Sequence, residues 1–209
     1  CGCRCPASIF QILLTPALGG PPAYPPQPDG IWWIRDDKSP RYGTSTGEER
    51  YRRSLYTIWR RTYLHPTLSN FDAPNRVTCS ADRERTNTPL QALTLMNDPI
   101  FLEAGFGLAR RMLERSKSHS IKDAIRFGFC LSTTRNPDQT ETDALSGLYE
   151  KSLRNFSKDG DSAYKLLNSV RGELALGVSP LNASEVALLA AWFQVANVLL
   201  NLDETISKG

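Results

Sequence analysis

A chain of 209 residues with 40% hydrophobic and 22% charged side chains has the composition of an ordinary globular protein, long enough for one sizeable core. Its net charge of +3 and pI near 8.6 fall short of the clustered basic signature, with a pI above about 9, that marks nucleic-acid binders. A membrane span is excluded too: a helix needs roughly 18 consecutive apolar residues, and the best run, Val186 to Leu200, is broken by Gln194 and Asn197.

Residues 1–15 show no periodicity and open on Cys1 rather than Met, as expected of a fragment. The cysteines are lopsided: Cys1, Cys3 and Cys5 alternate, while Cys79 and Cys130 stand alone. Alternate spacing is neither C-x-x-C nor the haem-attachment pattern. With only His65 and His119 as further nitrogen ligands, no metal site is expected. No signal peptide is visible, because Ile9 to Leu14 is too short and interrupted.

Residues 16–47 read as an extended strap and loop. Gly19-Gly20-Pro21-Pro22 and Pro25-Pro26-Gln27-Pro28 favour a polyproline-like path, and Ile31 to Ile34 adds a short apolar run around Trp32 and Trp33. From residue 48 to 209 a helical domain is predicted. Leu55, Ile58, Trp59 and Tyr63 follow helical spacing beside Arg50, Arg52, Arg53, Arg60 and Arg61. That basic and aromatic run reads as a solvated or ion-paired helix face, with Trp59 turned inward.

Residues 65–85 carry Pro66 and Pro74 and no sustained period. Thr88-Pro89-Leu90-Gln91 then forms a capping box, with Thr88 as N-cap, proline at the first helical position and Gln91 reaching back. Asp98-Pro99 restarts a helix whose buried face holds Phe101, Ala104, Leu108 and Met112. Ser120 caps the next, Asn136-Pro137 opens a long one, and Asp161 opens a shorter one. The last is entered through Asn182 as N-cap, Glu185 at the third position and Leu181 as a staple against Val186. Its apolar residues cover nearly every side, as in a helix inside a bundle. The expected fold is mostly α, an irregular bundle of about six helices behind an extended N-terminal Pro/Gly-rich strap.

The densest chemistry lies between Phe71 and Pro99. Arg76, Arg83 and Arg85 with Asn87 could hold an anion, since guanidinium forks and a helix start suit carboxylate, sulfate or phosphate. The competing reading pairs those arginines with Asp72, Asp82, Glu84 and Asp98 to tie an irregular segment down, and it is favoured. Asp72, Thr88, Gln91, Asn97 and Asp98 form a structural polar block, with Asp72 and Asp98 as turn and cap residues rather than a catalytic pair. Cys79 reads as a buried thiol, and His119 as an exposed loop residue. Asn155 and Asn182 sit in glycosylation-like patterns, but Asn182 is better explained as a cap.

YRRSLYTIWRRT at Tyr51 to Thr62, FDAPNR, Cys79, RERTNTPLQAL and NDP follow one another in an unusual order. With GGPPAYPPQPDGIW at Gly19 to Trp32 and LLNLDET at Leu199 to Thr205, they resemble the planctomycete-type C-terminal domain of unknown function, the PSD domain. The resemblance runs from about residue 16 to 209. It implies the end of a large exported protein, periplasmic or in the cell envelope, that begins with a planctomycete cytochrome c domain. Haem is then expected only upstream, and the upstream domains are the expected partners, with anionic polysaccharide as an alternative ligand. A hydrolase or redox site shared with those domains is a further alternative. The resemblance assigns no catalytic residue to this chain. Residues 1–15 depart from the family's pattern, and an upstream frameshift would account for them.

Overall fold

The computed structural model describes residues 14–32, 41–60, 63–74, 86–170 and 182–206. Among these residues lie eight α-helices and no extended strand, only isolated β-bridges. The chain divides into two compact units, Leu14–Thr94 and a second holding Leu95–Gly209.

The first unit is built on the strap. Thr15 pairs with Arg52, and Ala23 with Thr57, as parallel bridges. The Ala23 N–H donates to the Tyr56 carbonyl at 2.7 Å, and the Ile58 N–H returns to the Ala23 carbonyl at 2.8 Å. These bonds overturn the helix predicted from residue 48. Residues Gly47–Tyr51 and Ser54–Tyr56 form only short 3₁₀ turns, because Arg52 and Thr57 take extended backbone to meet the strap. Leu55, expected on a buried stripe, is 68% exposed. Tertiary pairing has overridden a local helical pattern that carried little energy by itself.

At the strap's turn, Gly19 and Gly20 have φ of +75° and +94°, where side-chain-bearing residues are strained. The Arg52 guanidinium donates to the carbonyls of Gly19 and Pro21, and lies 4.0 Å from the Tyr56 ring centroid. Tyr56 Oη accepts from the Gly19 N–H at 3.0 Å. Further along, Trp32 packs on Tyr42 and Tyr63 at centroid separations of 5.1 and 5.0 Å, with the Arg60 guanidinium 4.0 Å from the Trp32 ring. Tyr42 donates to the Pro25 carbonyl and Tyr63 to Gln27 Oε1, so the phenols of this cluster satisfy themselves on the strap. Burial, and then the neighbouring Tyr63 and Tyr24, push the Tyr42 phenol well above its ordinary range. A short helix α1 (Pro66–Asn70) follows where none was expected, entered by Pro66 at its first position.

Helix α2 (Pro89–Asn97) carries the chain from the first unit into the second. There α3 (Pro99–Ser118), α4 (Ile121–Thr133), α5 (Gln139–Lys158), α6 (Gly160–Val170), α7 (Ala183–Leu200) and the short α8 (Asp203–Ile206) form the bundle predicted. Helix α7 is central, packing against α3, α4, α5, α6 and α8. Trp192, Phe193, Val195 and Leu199 are buried on it, and Trp192 stacks on Tyr149 of α5 at 4.2 Å. Gly128 of α4 admits Met112 of α3: a Cβ there would lie 2.6 Å from the Met112 sulfur.

The helix starts follow from their caps. Asp98 accepts from the Ile100 N–H at 2.9 Å, and Ser120 from the Asp123 N–H at 3.1 Å. Helix α5 begins two residues later than Asn136-Pro137 suggested. Asp138 is its N-cap, in a capping box closed reciprocally with Glu141 at 2.7 and 2.8 Å. Helix α6, by contrast, opens before Asp161, since Asp159 accepts from the Ser162 N–H at 3.1 Å. At α7 the Asn182 N–H reaches Glu185 at 3.4 Å, while the staple residue Leu181 lies outside the described residues. Of the predicted α3 face, Ala104, Leu108 and Met112 are buried and Phe101 is half-buried.

Candidate functional site

The polar segment builds one network within the first unit. Asp72 sits in the turn after α1 with φ of +56°, a conformation that Asp and Asn adopt more readily than other side chains. There its Oδ2 accepts from the Thr86 N–H at 2.9 Å, the Thr86 hydroxyl at 2.7 Å and the Gln91 amide at 3.4 Å. Thr86 brings the chain to α2, where Thr88 and Gln91 close the predicted capping box. The Thr88 N–H donates to Gln91 Oε1 at 3.1 Å, and the Gln91 N–H to Thr88 Oγ1 at 3.3 Å.

Gln91 is the hub, with 1% of its surface exposed. Its Nε2 also donates to the Asn70 carbonyl at 2.9 Å and to Thr86 Oγ1 at 3.1 Å. Asn70 in turn donates to Thr94 Oγ1 at 3.0 Å, and Thr94 to the Leu90 carbonyl at 2.8 Å. Three chain segments are thereby tied by neutral and charge-assisted hydrogen bonds.

The remaining predicted site residues are placed differently. Asn87 is exposed just before α2, and Asn97 is exposed at its end. Asp98 belongs to the second unit, where its carboxylate is the α3 cap. Asp72 and Asp98 thus each have a local structural partner. Arg76, Arg83 and Arg85, with Cys79, Asp82 and Glu84, lie outside the described residues. Among the described residues no three His, Cys, Asp or Glu side chains converge as a metal site, and no helix is long and apolar enough to cross a membrane.

Sequence reasoning missed Asn70, Thr86 and Thr94. Thr86 stands two residues before the capping box, a spacing that marks a turn but not its partner. It also missed Arg135, between α4 and α5. This guanidinium holds both oxygens of Glu141, at 2.6 and 2.9 Å, and both of Glu204, at 2.7 and 2.8 Å. Hydrogen bonds from Arg135 are the main cause that keeps both carboxyls below the usual glutamate range. Cys130, which stands alone in the sequence and is buried on α4, is disulfide-bonded.

No curated protein and no solved structure matches the chain. The PSD1 family, described as a protein of unknown function (DUF1553), matches residues 7–149. That match takes in the strap, the polar network and α2 to α4, and it ends inside α5. It reaches further back than the resemblance read from the motifs, and stops short of α6 to α8. With well over half of its residues in the match, from the strap to the first half of the bundle, this chain belongs to the PSD1 family.

Proposed function

We propose that the chain is a non-catalytic structural and interaction domain, the C-terminal part of an exported, cytochrome-c-linked multidomain protein. The observation that carries the first half is the closure of the polar network. Asp72 Oδ2 already receives three donors and the buried Gln91 amide is used at both ends, so both groups are engaged in holding the turn after α1 to the start of α2. Export and the link to an upstream cytochrome domain rest on the motif resemblance.

Asp72→Asn in the full-length protein tests the reading. Asn keeps the left-handed backbone, but can place an NH₂ against the Thr86 N–H and hydroxyl. A lower Tm is expected, with any turnover of the intact protein unchanged. An unchanged Tm with lost turnover would overturn the structural role.

A further inference from the structure

Tyr56 gathers two guanidinium groups on one ring. Arg52 Cζ lies 4.0 Å from the ring centroid and Arg53 Cζ 5.8 Å from it, so three side chains of the first unit share one place. The two cations are used differently. Arg52 is committed to the strap, donating to the carbonyls of Gly19 and Pro21, and its Nε is buried with no acceptor. Arg53 is exposed, and its guanidinium donates to the Tyr56 hydroxyl oxygen.

Two positive charges held this close repel each other unless an anion accompanies them. Among the described residues, no carboxylate comes within ion-pair distance of Arg52 or Arg53. Glu48 and Glu49, exposed in the 3₁₀ turn just before, form no such pair with them. Attachment of the strap accounts for Arg52. It does not account for Arg53, whose side chain makes no hydrogen bond to the strap.

The Tyr56 hydroxyl points the same way. A phenol oxygen accepts through its lone pairs and donates one proton. Here the accepting side is taken by the Gly19 N–H at 3.0 Å and by Arg53. The O–H is therefore turned away from both donors, and among the described residues no acceptor receives it. The same donors, the Gly19 N–H first and Arg53 next, hold the phenol below its ordinary range, so the surroundings of this oxygen favour negative charge.

We infer that Arg53 and the Tyr56 hydroxyl bind a phosphate dianion, free or as a monoester. One phosphate oxygen accepts the Tyr56 O–H and another the outward N–H groups of Arg53, whose planar fork suits such an anion. The nearby Arg52 charge favours a dianion over a carboxylate, because two guanidinium groups lack a counter-charge here. The site uses none of Arg76, Arg83 and Arg85. It goes beyond the structural reading of the chain, which is tested separately by Asp72→Asn.

The test titrates the full chain with inorganic phosphate at about pH 8, where a phosphate monoester and the free ion are largely dianionic, at constant ionic strength. Amide resonances are followed by NMR, and the Gly19 N–H, bonded to the Tyr56 oxygen, is the local reporter. A saturating shift is expected, with acetate about tenfold weaker. Glycerol phosphate separates the sources: a response to both phosphates assigns a site open to monoesters, and a response to inorganic phosphate alone assigns a free-ion site. Arg53→Gln and Tyr56→Phe should each weaken binding about tenfold, while Arg41→Gln, which removes an exposed charge beside Tyr42, weakens it less than about twofold. Tyr56→Phe also removes the acceptor of the Gly19 N–H, so Arg53→Gln, which leaves the strap's bonds in place, is the deciding variant once circular dichroism confirms its fold. A Gly19 shift that never saturates, acetate binding as tight as phosphate, wild-type binding by Arg53→Gln, or equal losses in Arg41→Gln and Arg53→Gln would each overturn the inference.

Discussion

Replacing Gln91 with Met isolates the worth of the polar network. The side chains are similar in length and helix propensity, so neither a large cavity nor a change in α2 intervenes. What is lost is the amide. The Asn70 carbonyl, held at 2.9 Å, loses its Gln91 partner, and so does the Thr88 N–H, held at 3.1 Å. Asp72 and Thr86 keep each other through the two bonds at 2.9 and 2.7 Å, so their part survives. Two backbone groups left short at roughly 1–3 kcal/mol each, with water reaching the Thr88 side, give a loss of about 3 kcal/mol. For a chain of this size that lowers Tm by about 6–12 °C. Urea unfolding of the two proteins, with the slope checked for constancy, measures it. A loss below about 1 kcal/mol would refute the reasoning, because the groups would then be finding partners without the amide.

Gly128→Ala sets a gain in helix propensity of about 1 kcal/mol against overpacking of about 1–3 kcal/mol where the new Cβ meets the Met112 sulfur. A net loss is expected in thermal unfolding, and it shrinks when Met112→Ala is added. Arg52→Ala removes the donors to Gly19 and Pro21, so nicking of the strap by a protease rises about tenfold while the far-ultraviolet circular dichroism of the bundle holds. An unchanged cleavage rate would show that the bridges at Thr15 and Ala23 suffice. Arg135→Gln tests the cluster with Glu141 and Glu204. Because both carboxyls are held below their ordinary value in the folded state, their stabilisation is present above the unfolded glutamate range and is lost as pH falls through the folded values. The Tm gap between wild type and variant should therefore be full at pH 7 and close below about pH 4. A gap independent of pH would assign the effect of Arg135 to packing on Phe129.

Most of the bundle was legible because its signals are local. Ser120, Asn182 and the Thr88–Gln91 box each announce a helix within four residues, and the apolar faces of α3 and α7 repeat at the helical period. Residues 48–63 were misread for the opposite reason. Their pattern is helical, but their backbone partners are Thr15 and Ala23, more than thirty residues away, and no local rule finds those. The network around Gln91 divides the same way. The half closed by Thr88 was visible as a capping box, whereas the half closed by Asn70 and Asp72 depends on a turn in which Asp72 adopts positive φ. Arg135 stands outside both helices it clamps, so helical periodicity could not point to it.

The strap's attachment also sets a timetable for the growing chain. Residues 15–24 leave the ribosome ahead of Tyr42, Glu48, Arg52 and Tyr56, which hold this stretch and the prolines after it. At roughly 5–20 residues per second, the wait is about 2–7 seconds. An extended segment left unpaired for that long invites pairing with other nascent chains. Five of the eight residues from Pro21 to Pro28 are prolines, which have no backbone N–H to offer a neighbouring strand. The segment thus stays inert toward other chains until Arg52 and Tyr56 emerge to claim it.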